Sequence, residues 1–304
     1  MGCGSCETRL SLQKYPICRE FLAEFLGTFI LMCFGEGSVA QLVLSGGTAG
    51  SSSTIYWSWG LGVTMGVYVA GGISGGHLNP AVTLAMAILR KCPWRKVPIY
   101  MLGQYLGAFV ASVMVFFVYT DALNSFDGGV RLTEGSTATA GIWSTYPQAH
   151  LSALNGFGDQ IFGTALLLIC VLAITDERNM KTPTGLAPIS IGLVVVAIGM
   201  TFGYNCGYAI NPARDLAPRI FTAVAGWGAE PFSYRDYNWF WVPVCGSHFG
   251  AIVGSVIYML CIGLHWPKEN EEVYKEKEKE IVAEDEDQSR TNTVPLQPLI
   301  PLTT

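Results

Sequence analysis

The chain has 304 residues, 50% of them hydrophobic and only 13% charged, with a mean hydropathy of +0.37. Soluble domains carry nearer a quarter charged residues, so the composition excludes an ordinary soluble enzyme and points to a chain that crosses a membrane several times. Residues 1–267 balance 13 Lys and Arg against 13 Asp and Glu, which leaves the net charge of −5 in the tail and shows no basic face for a nucleic-acid partner.

Taken in order, Met1 to Arg19 lacks the apolar run and small-residue cleavage site of a signal peptide. Met1-Gly2-Cys3-Gly4-Ser5-Cys6 falls one residue short of an N-myristoylation signal, with Cys6 where Ser or Thr belongs. An unmodified N-terminal tail, 1–20, is expected, with palmitoylation of Cys3 or Cys6 as the alternative. Six segments have the ~20 apolar residues that a bilayer crossing takes, near 21–44, 55–73, 97–120, 158–176, 187–205 and 239–264. Two shorter apolar stretches, 79–89 and 211–223, each follow an Asn-Pro-Ala tripeptide. Asn is a favoured N-cap and proline suits the first helical position, so each tripeptide reads as the start of a helix too short to span. Non-helical backbone at membrane depth is tolerated only when buried in protein or lining a water-filled cavity. Two re-entrant half-helices therefore predict a pore or a binding site.

The loop 121–157 is rich in Gly, Ser and Thr and holds no Asn-x-Ser/Thr sequon, so no N-glycan is expected on it. The tail 267–304 alternates Glu and Lys and then runs Glu284–Asp287, which predicts a solvated, disordered segment. Arg9, Lys14 and Arg19, then Arg90, Lys91, Arg95 and Lys96, then Arg178 and Lys181 all fall on one side of the spans. Arg131 and Arg235 fall on the other, so both termini are expected in the cytoplasm. Trp57, Trp59, Trp239, Trp241 and Trp266 lie near predicted interfaces, as aromatic-belt residues would. The nine cysteines are scattered, without CxxC or zinc spacing.

The halves repeat. Ala23-Glu24-Phe25-Leu26-Gly27-Thr28 matches Asp159-Gln160-Ile161-Phe162-Gly163-Thr164; Asn79-Pro80-Ala81 matches Asn211-Pro212-Ala213; and Gln104-Tyr105-Leu106-Gly107-Ala108 matches Ser247-His248-Phe249-Gly250-Ala251. An odd number of spans per repeat (about 21–120 and 158–266 of one channel domain, 21–266) inverts the halves in the membrane. The site then lies near the midplane, where the half-helix N-termini meet. Gly103 and Gly107, and Gly246, Gly250 and Gly254, form small-xxx-small rows for close helix packing.

At that meeting point each half-helix presents unpaired N–H groups and partial positive charge. Asn79 and Asn211 would cap their helices and keep an amide N–H for the lumen. The loops before them, with Gly75, Gly76, His77 and Leu78, then Cys206, Gly207 and Ala209, would offer carbonyl acceptors. Two positive helix ends and Arg214 oppose cations. An Arg inside a membrane is a functional candidate by default, although an ion pair with Asp215 would be a structural alternative. Glu24 is costly in a span unless satisfied, and Glu36 has no repeat counterpart to name its partner. His77 would brace its loop as a neutral imidazole, with a pH gate as the sharper alternative.

These residues carry a resemblance. The paired Asn-Pro-Ala motifs, the Arg after the second, Glu24 with its counterpart Gln160, and the repeat over 20–266 are similar to the major intrinsic protein (aquaporin) family. The resemblance implies an all-α bundle of six transmembrane helices and two half-helices, assembled as a homotetramer in the lipid bilayer with one pore per protomer. It implies that Glu24 and Gln160 brace the two re-entrant loops with Asp215 as a further loop support, that neither metal nor cofactor is needed, and that no catalytic residue exists. It places an outer constriction on Trp59, Gly199, Tyr208 and Arg214. Water-selective members have His where this chain has Gly199, so the resemblance is to the aquaglyceroporin branch, as is Asp215 after Arg214. Glycerol, water and urea are the expected permeants, in the plasma membrane; a water-selective channel is the alternative. Physically, a missing side chain at Gly199 would widen the ring, with Trp59 and Tyr208 as an apolar corner and Arg214 bonding hydroxyls.

Two rivals come from other classes. Gly72-Ile73-Ser74-Gly75-Gly76 fits a G-x-S-x-G pattern, and His248 would complete an intramembrane serine protease dyad. An alternating-access transporter would also use inverted repeats, with Asp215 as its ion-coupling carboxylate.

Overall fold

A computed structural model describes residues 11–267, and the lipidation motif and acidic tail lie outside the described residues. The chain divides into two compact units after Met259, and all that follows concerns the first. Its described secondary structure is entirely helical. In chain order the helices are α1 (Pro16–Leu44), α2 (Ser52–Ser74), α3 (Pro80–Ile88), α4 (Val97–Asp127), α5 (Ala153–Thr175), α6 (Ala187–Phe202), α7 (Pro212–Thr222), α8 (Glu230–Tyr237) and α9 (Trp241–Tyr258).

Local chemistry sets several of these bounds. Proline opens α1, α3 and α7, where its missing N–H costs nothing. A capping box starts α2, with Ser51 and Thr54 exchanging side-chain and backbone bonds. Gly75, at φ 87°, ends it in the left-handed conformation that lets the chain turn back toward the membrane centre.

The arrangement repeats and inverts: α1, α2, α3 and α4 correspond to α5, α6, α7 and α9. The first helix of each repeat packs on the last, α1 on α4 and α5 on α9, and the second helices α2 and α6 pack on each other. Each half-helix crosses over, α3 lying against α9 and α7 against α4. The glycine rows make this possible. A Cβ at Gly103 would stand 2.8 Å from the Phe21 carbonyl oxygen, and one at Gly107 would collide with that of Phe25. At the matching places, a Cβ at Gly246 would stand 2.7 Å from the Gln160 Cβ and 3.3 Å from the Phe157 carbonyl oxygen, and one at Gly250 would meet the Ile161 carbonyl; Gly254, one turn on, meets that of Ala165. Backbone lies on backbone in both halves.

The element bounds differ from the predicted spans where helix and hydrocarbon part company. Helix α4 runs to Asp127 rather than 120, and α5 starts at Ala153 rather than 158, capped by Ser152 accepting from the Asn155 N–H at 3.1 Å. Hydropathy falls where the bilayer ends, whereas a helix continues into water until a cap stops it. By length and hydropathy together, Trp94–Asp127, Ala153–Thr175 and Trp241–Gly263 qualify as spans, with Ala187–Phe202 a shorter apolar helix. Helices α1 and α2 are 29 and 23 residues long, but Glu and Gly, Ser and Thr dilute them. Trp239 corrects an expectation. It is no interfacial anchor but fully buried, with its Nε1 donating to the Thr145 carbonyl at 3.0 Å.

Candidate functional site

The half-helices meet inside a cavity of about 290 Å³ whose walls include Asn79, Asn211, Trp59, Tyr208, Arg214 and His77. Each asparagine does three things at once. Asn79 Oδ1 accepts from the Ala81 N–H at 2.9 Å, and Asn211 Oδ1 from the N–H groups of Ala213 and Arg214 at 3.0 and 3.3 Å. Across the repeat, Asn79 Nδ2 donates to the Ile210 carbonyl at 2.8 Å and Asn211 Nδ2 to the Leu78 carbonyl at 2.9 Å. An amide has two N–H donors, so each side chain keeps one for the lumen.

The two accepting residues are strained. Leu78 has φ 52° and Ile210 φ 42°, left-handed values that cost an L-residue roughly 1–2 kcal/mol. For a β-branched residue such as Ile210 this conformation is a genuine outlier. The turn aims each carbonyl at the opposite asparagine, and the side chains anchor it: Leu78 packs against Gly27 and Gly66, and Ile210 against Gly163, the repeat counterpart of Gly27.

Polar side chains from outside the wall hold the loops. Glu24, fully buried, accepts four bonds: from Ser74 Oγ at 2.5 Å, the His77 N–H at 2.9 Å, the Leu78 N–H at 2.7 Å and Gln104 Nε2 at 2.8 Å. Four donors match the four lone-pair sites of a carboxylate. Gln160 does less, accepting from the Ile210 N–H at 3.1 Å while its Nε2 lies 3.2 Å from Cys206 Sγ. Asp159 takes up the rest, accepting from Asn205 Nδ2 at 2.9 Å. His77 Nδ1 is 3.1 Å from Thr83 Oγ1 and its ring packs on Tyr100 at 5.2 Å.

The loop residues divide. Gly75, Gly76, His77, Leu78 and Ala209 line the cavity, whereas Cys206, 1% exposed, turns its thiol toward Asp159 and Gln160. Gly207 packs near Thr145. Ile210, the last residue of the second loop, is in the wall as well, with its carbonyl accepting from Asn79.

Of the residues expected at an outer constriction, Arg214 donates from Nη1 to the Trp143 carbonyl at 2.9 Å, and its guanidinium lies 4.2 Å from the Trp59 ring centroid. It does not pair with Asp215. That carboxylate faces away, bound by Arg219 at 2.8 Å and by the Thr145 N–H and hydroxyl at 2.8 and 2.5 Å. Trp143, Thr145 and Arg219 escaped the sequence reading. The first two lie in a loop that showed only turn composition, and Arg219 is one turn after Asp215, the spacing that would have signalled the pair. Gly199 also differs from expectation. A Cβ there would stand 2.8 Å from Tyr208 Cζ, so the Tyr208 ring occupies the space beside Gly199. Trp59 in turn packs against Gly35.

Neither rival survives. Ser74 Oγ bonds Glu24 while His248 Nδ1 bonds the Val244 carbonyl of its own helix at 2.8 Å, so they form no dyad. Asp215 is fully committed and offers no ion-coupling site.

The model of the family described as "Major intrinsic protein" matches residues 11–258. A human protein named Aquaporin-9 is 49% identical over 276 residues, covering 91% of this chain and 92% of its own length. Aquaporin-10 of the tardigrade Milnesium tardigradum is 54% identical over 83% of this chain, which spans 64% of that longer relative. The crystal structure of the aquaglyceroporin from Plasmodium falciparum superposes with a TM-score of 0.73 at 33% identity, covering 81% of this chain and 97% of that one. With the inverted repeat, the paired asparagine caps and the family match in agreement, the chain belongs to the major intrinsic protein family of membrane channels and is not an enzyme.

Proposed function

We propose that the chain is a passive channel for glycerol and water that also passes other small neutral solutes such as urea, and excludes ions and protons. The carrying observation is the packing of Tyr208 into the space above Gly199. A histidine there, as in water-selective relatives, has no room beside that ring. Trp59, Tyr208 and Arg214 then form an apolar corner facing a cation, which suits a polyol with one CH edge and one hydroxyl edge. Tyr208 Oη has no hydrogen-bond partner among the described residues and would add a donor there.

Deeper in, Asn79 and Asn211 donate to the permeant oxygen, and the carbonyls of Gly75, Gly76 and Ala209 accept its hydrogens. Two half-helix N-termini and Arg214 repel cations, and a water fixed by both asparagines cannot relay protons. His77 supports the loop through Thr83. We infer a homotetramer in the plasma membrane; both termini lie in the cytoplasm, for which the one-sided distribution of Lys and Arg is the argument.

Stopped-flow swelling of proteoliposomes under water and glycerol gradients tests the selectivity, and native mass spectrometry the tetramer. Glycerol flux well above that of empty vesicles is expected. Water flux without glycerol flux would establish the water-selective alternative instead.

A further inference from the structure

Glu36 of α1 is fully buried and outside the cavity wall, and the pore chemistry makes no use of it. One carboxyl oxygen lies 2.7 Å from Ser112 Oγ on α4, and the other has no partner among the described residues. Ser112 Oγ also lies 3.1 Å from the Ala108 carbonyl. A carboxylate only accepts, and serine has a single O–H. Were Glu36 ionised, that one proton would have to serve both acceptors, and a full charge in the span would keep at most one donor. With a proton on Glu36 the inventory closes. The acid donates to Ser112 Oγ, Ser112 donates to Ala108, and only a neutral carbonyl oxygen is left over. Glu24, three turns earlier on the same helix, shows the opposite pattern with its four donors. One helix thus presents a carboxylate to the pore loop and an acid to its neighbour.

The charges nearby give this acid a role. Asp215 and Arg219 neutralise each other in direct contact, whereas the polar partner of the Arg214 guanidinium is a carbonyl. Trp143 links the two sites: its Nε1 donates to the Ser112 carbonyl at 3.3 Å, and its own carbonyl accepts from Arg214 Nη1 at 2.9 Å. Cys33 lies one turn before Glu36 on α1. Helix α2 carries no charged side chain, nor does the short turn Ala140–Ile142 packed on α1. On α4, Asp121 is about 13 Å along the axis from Ser112, and Asp127 is further.

We propose that Glu36 is a specificity-determining residue held as a neutral acid by Ser112, leaving the Arg214 charge uncompensated while protonated and opposing it once ionised. The consequence for flux rests on Arg214 acting as the filter residue; the protonation state does not. Infrared spectroscopy of the full-length protein at neutral pH tests the state directly. A carboxylic-acid carbonyl band is expected that disappears in Glu36→Gln and shifts in Ser112→Ala. Absence of that band overturns the proposal, whatever the channel conducts.

Proteoliposome flux tests the consequence. Glu36→Gln preserves a donor toward Ser112 and should match the parent at neutral pH. As pH is raised the parent's glycerol-to-water permeability ratio should fall by at least about threefold, the scale of a remote unit charge in a partly screened interior, while Glu36→Gln stays flat. Parent and variant tracking each other at every pH also overturns it. Glu36→Asp, which keeps the acid, replaces the amide variant should that fail to insert, and should retain both the acid band and the pH-dependent fall.

Discussion

Gly199 and Tyr208 show how one absent side chain makes room for a ring. A methyl group at Gly199 would press on Tyr208 Cζ at 2.8 Å, and Tyr208 also lines the cavity. Gly199→Ala should therefore narrow the pore rather than unfold the helix. Glycerol permeability in proteoliposomes should drop about tenfold while water permeability falls less than about threefold, because selectivity follows pore width. Equal losses of both would mean that the ring does not move inward. The same residue illustrates what could be read in advance. A glycine in an apolar helix is visible in sequence, but whether its vacancy belongs to the lumen or to a neighbouring ring depends on a loop nine residues later. Arg214 was likewise legible as a buried cation, whereas its true acceptor, the Trp143 carbonyl, lies 71 residues away in a segment without hydrophobic period.

Among the elements, the pairs α1–α4 and α5–α9 are built alike, and a substitution in one should mirror its counterpart in the other. Gly107→Leu and Gly250→Leu each drive a side chain into a carbonyl of the facing helix. Both should lower melting temperature in detergent by amounts similar to each other, each costing at least the ~1–3 kcal/mol of an overpacked core. Strong loss in one and tolerance in the other would show that the repeats no longer pack equivalently.

The connection between α5 and α6 carries its own clasp. Asp176 accepts from Arg178 at 3.0 Å and from the Tyr258 hydroxyl at 3.0 Å. Burial pushes its carboxyl up, but the hydrogen bonds from Arg178 and Tyr258 outweigh this and hold it below its ordinary value of 3.8. A group depressed on folding stabilises above its unfolded pKa and loses that contribution as pH falls through the folded one. Thermal stability should thus fall as pH drops below about 4, and Asp176→Asn should be less stable at neutral pH and lack that share of the acid sensitivity. Melting curves across pH for both proteins check this. Six apolar segments and two capped half-helices were readable because hydropathy and N-cap chemistry are local. The ends of α4 and α5 were not, since a helix outlasts the bilayer that hydropathy records.

At the scale of the whole molecule, a repeat of sequence becomes a meeting of two half-helices only because the second copy is inverted. The paired Asn-Pro-Ala tripeptides and the Glu24–Gln160 correspondence made that legible before any coordinate. What stayed hidden were the long-range partners on which symmetry fails. Glu24 takes four bonds where Gln160 accepts one for its loop, and Arg214 stands where Val82 follows the first motif.

The crossed asparagine bonds also govern the order in which the molecule can be made. Domains are synthesised from the N-terminus, so the first repeat enters the bilayer before residues 205–211 exist. Until then the Asn79 amide lacks the Ile210 carbonyl, and the strained Leu78 carbonyl lacks the Asn211 amide. A nascent chain halted after the first repeat therefore holds a polar turn at membrane depth with nothing to close it. The second repeat is the template on which the first completes its fold, since neither crossed bond can form before it enters the bilayer.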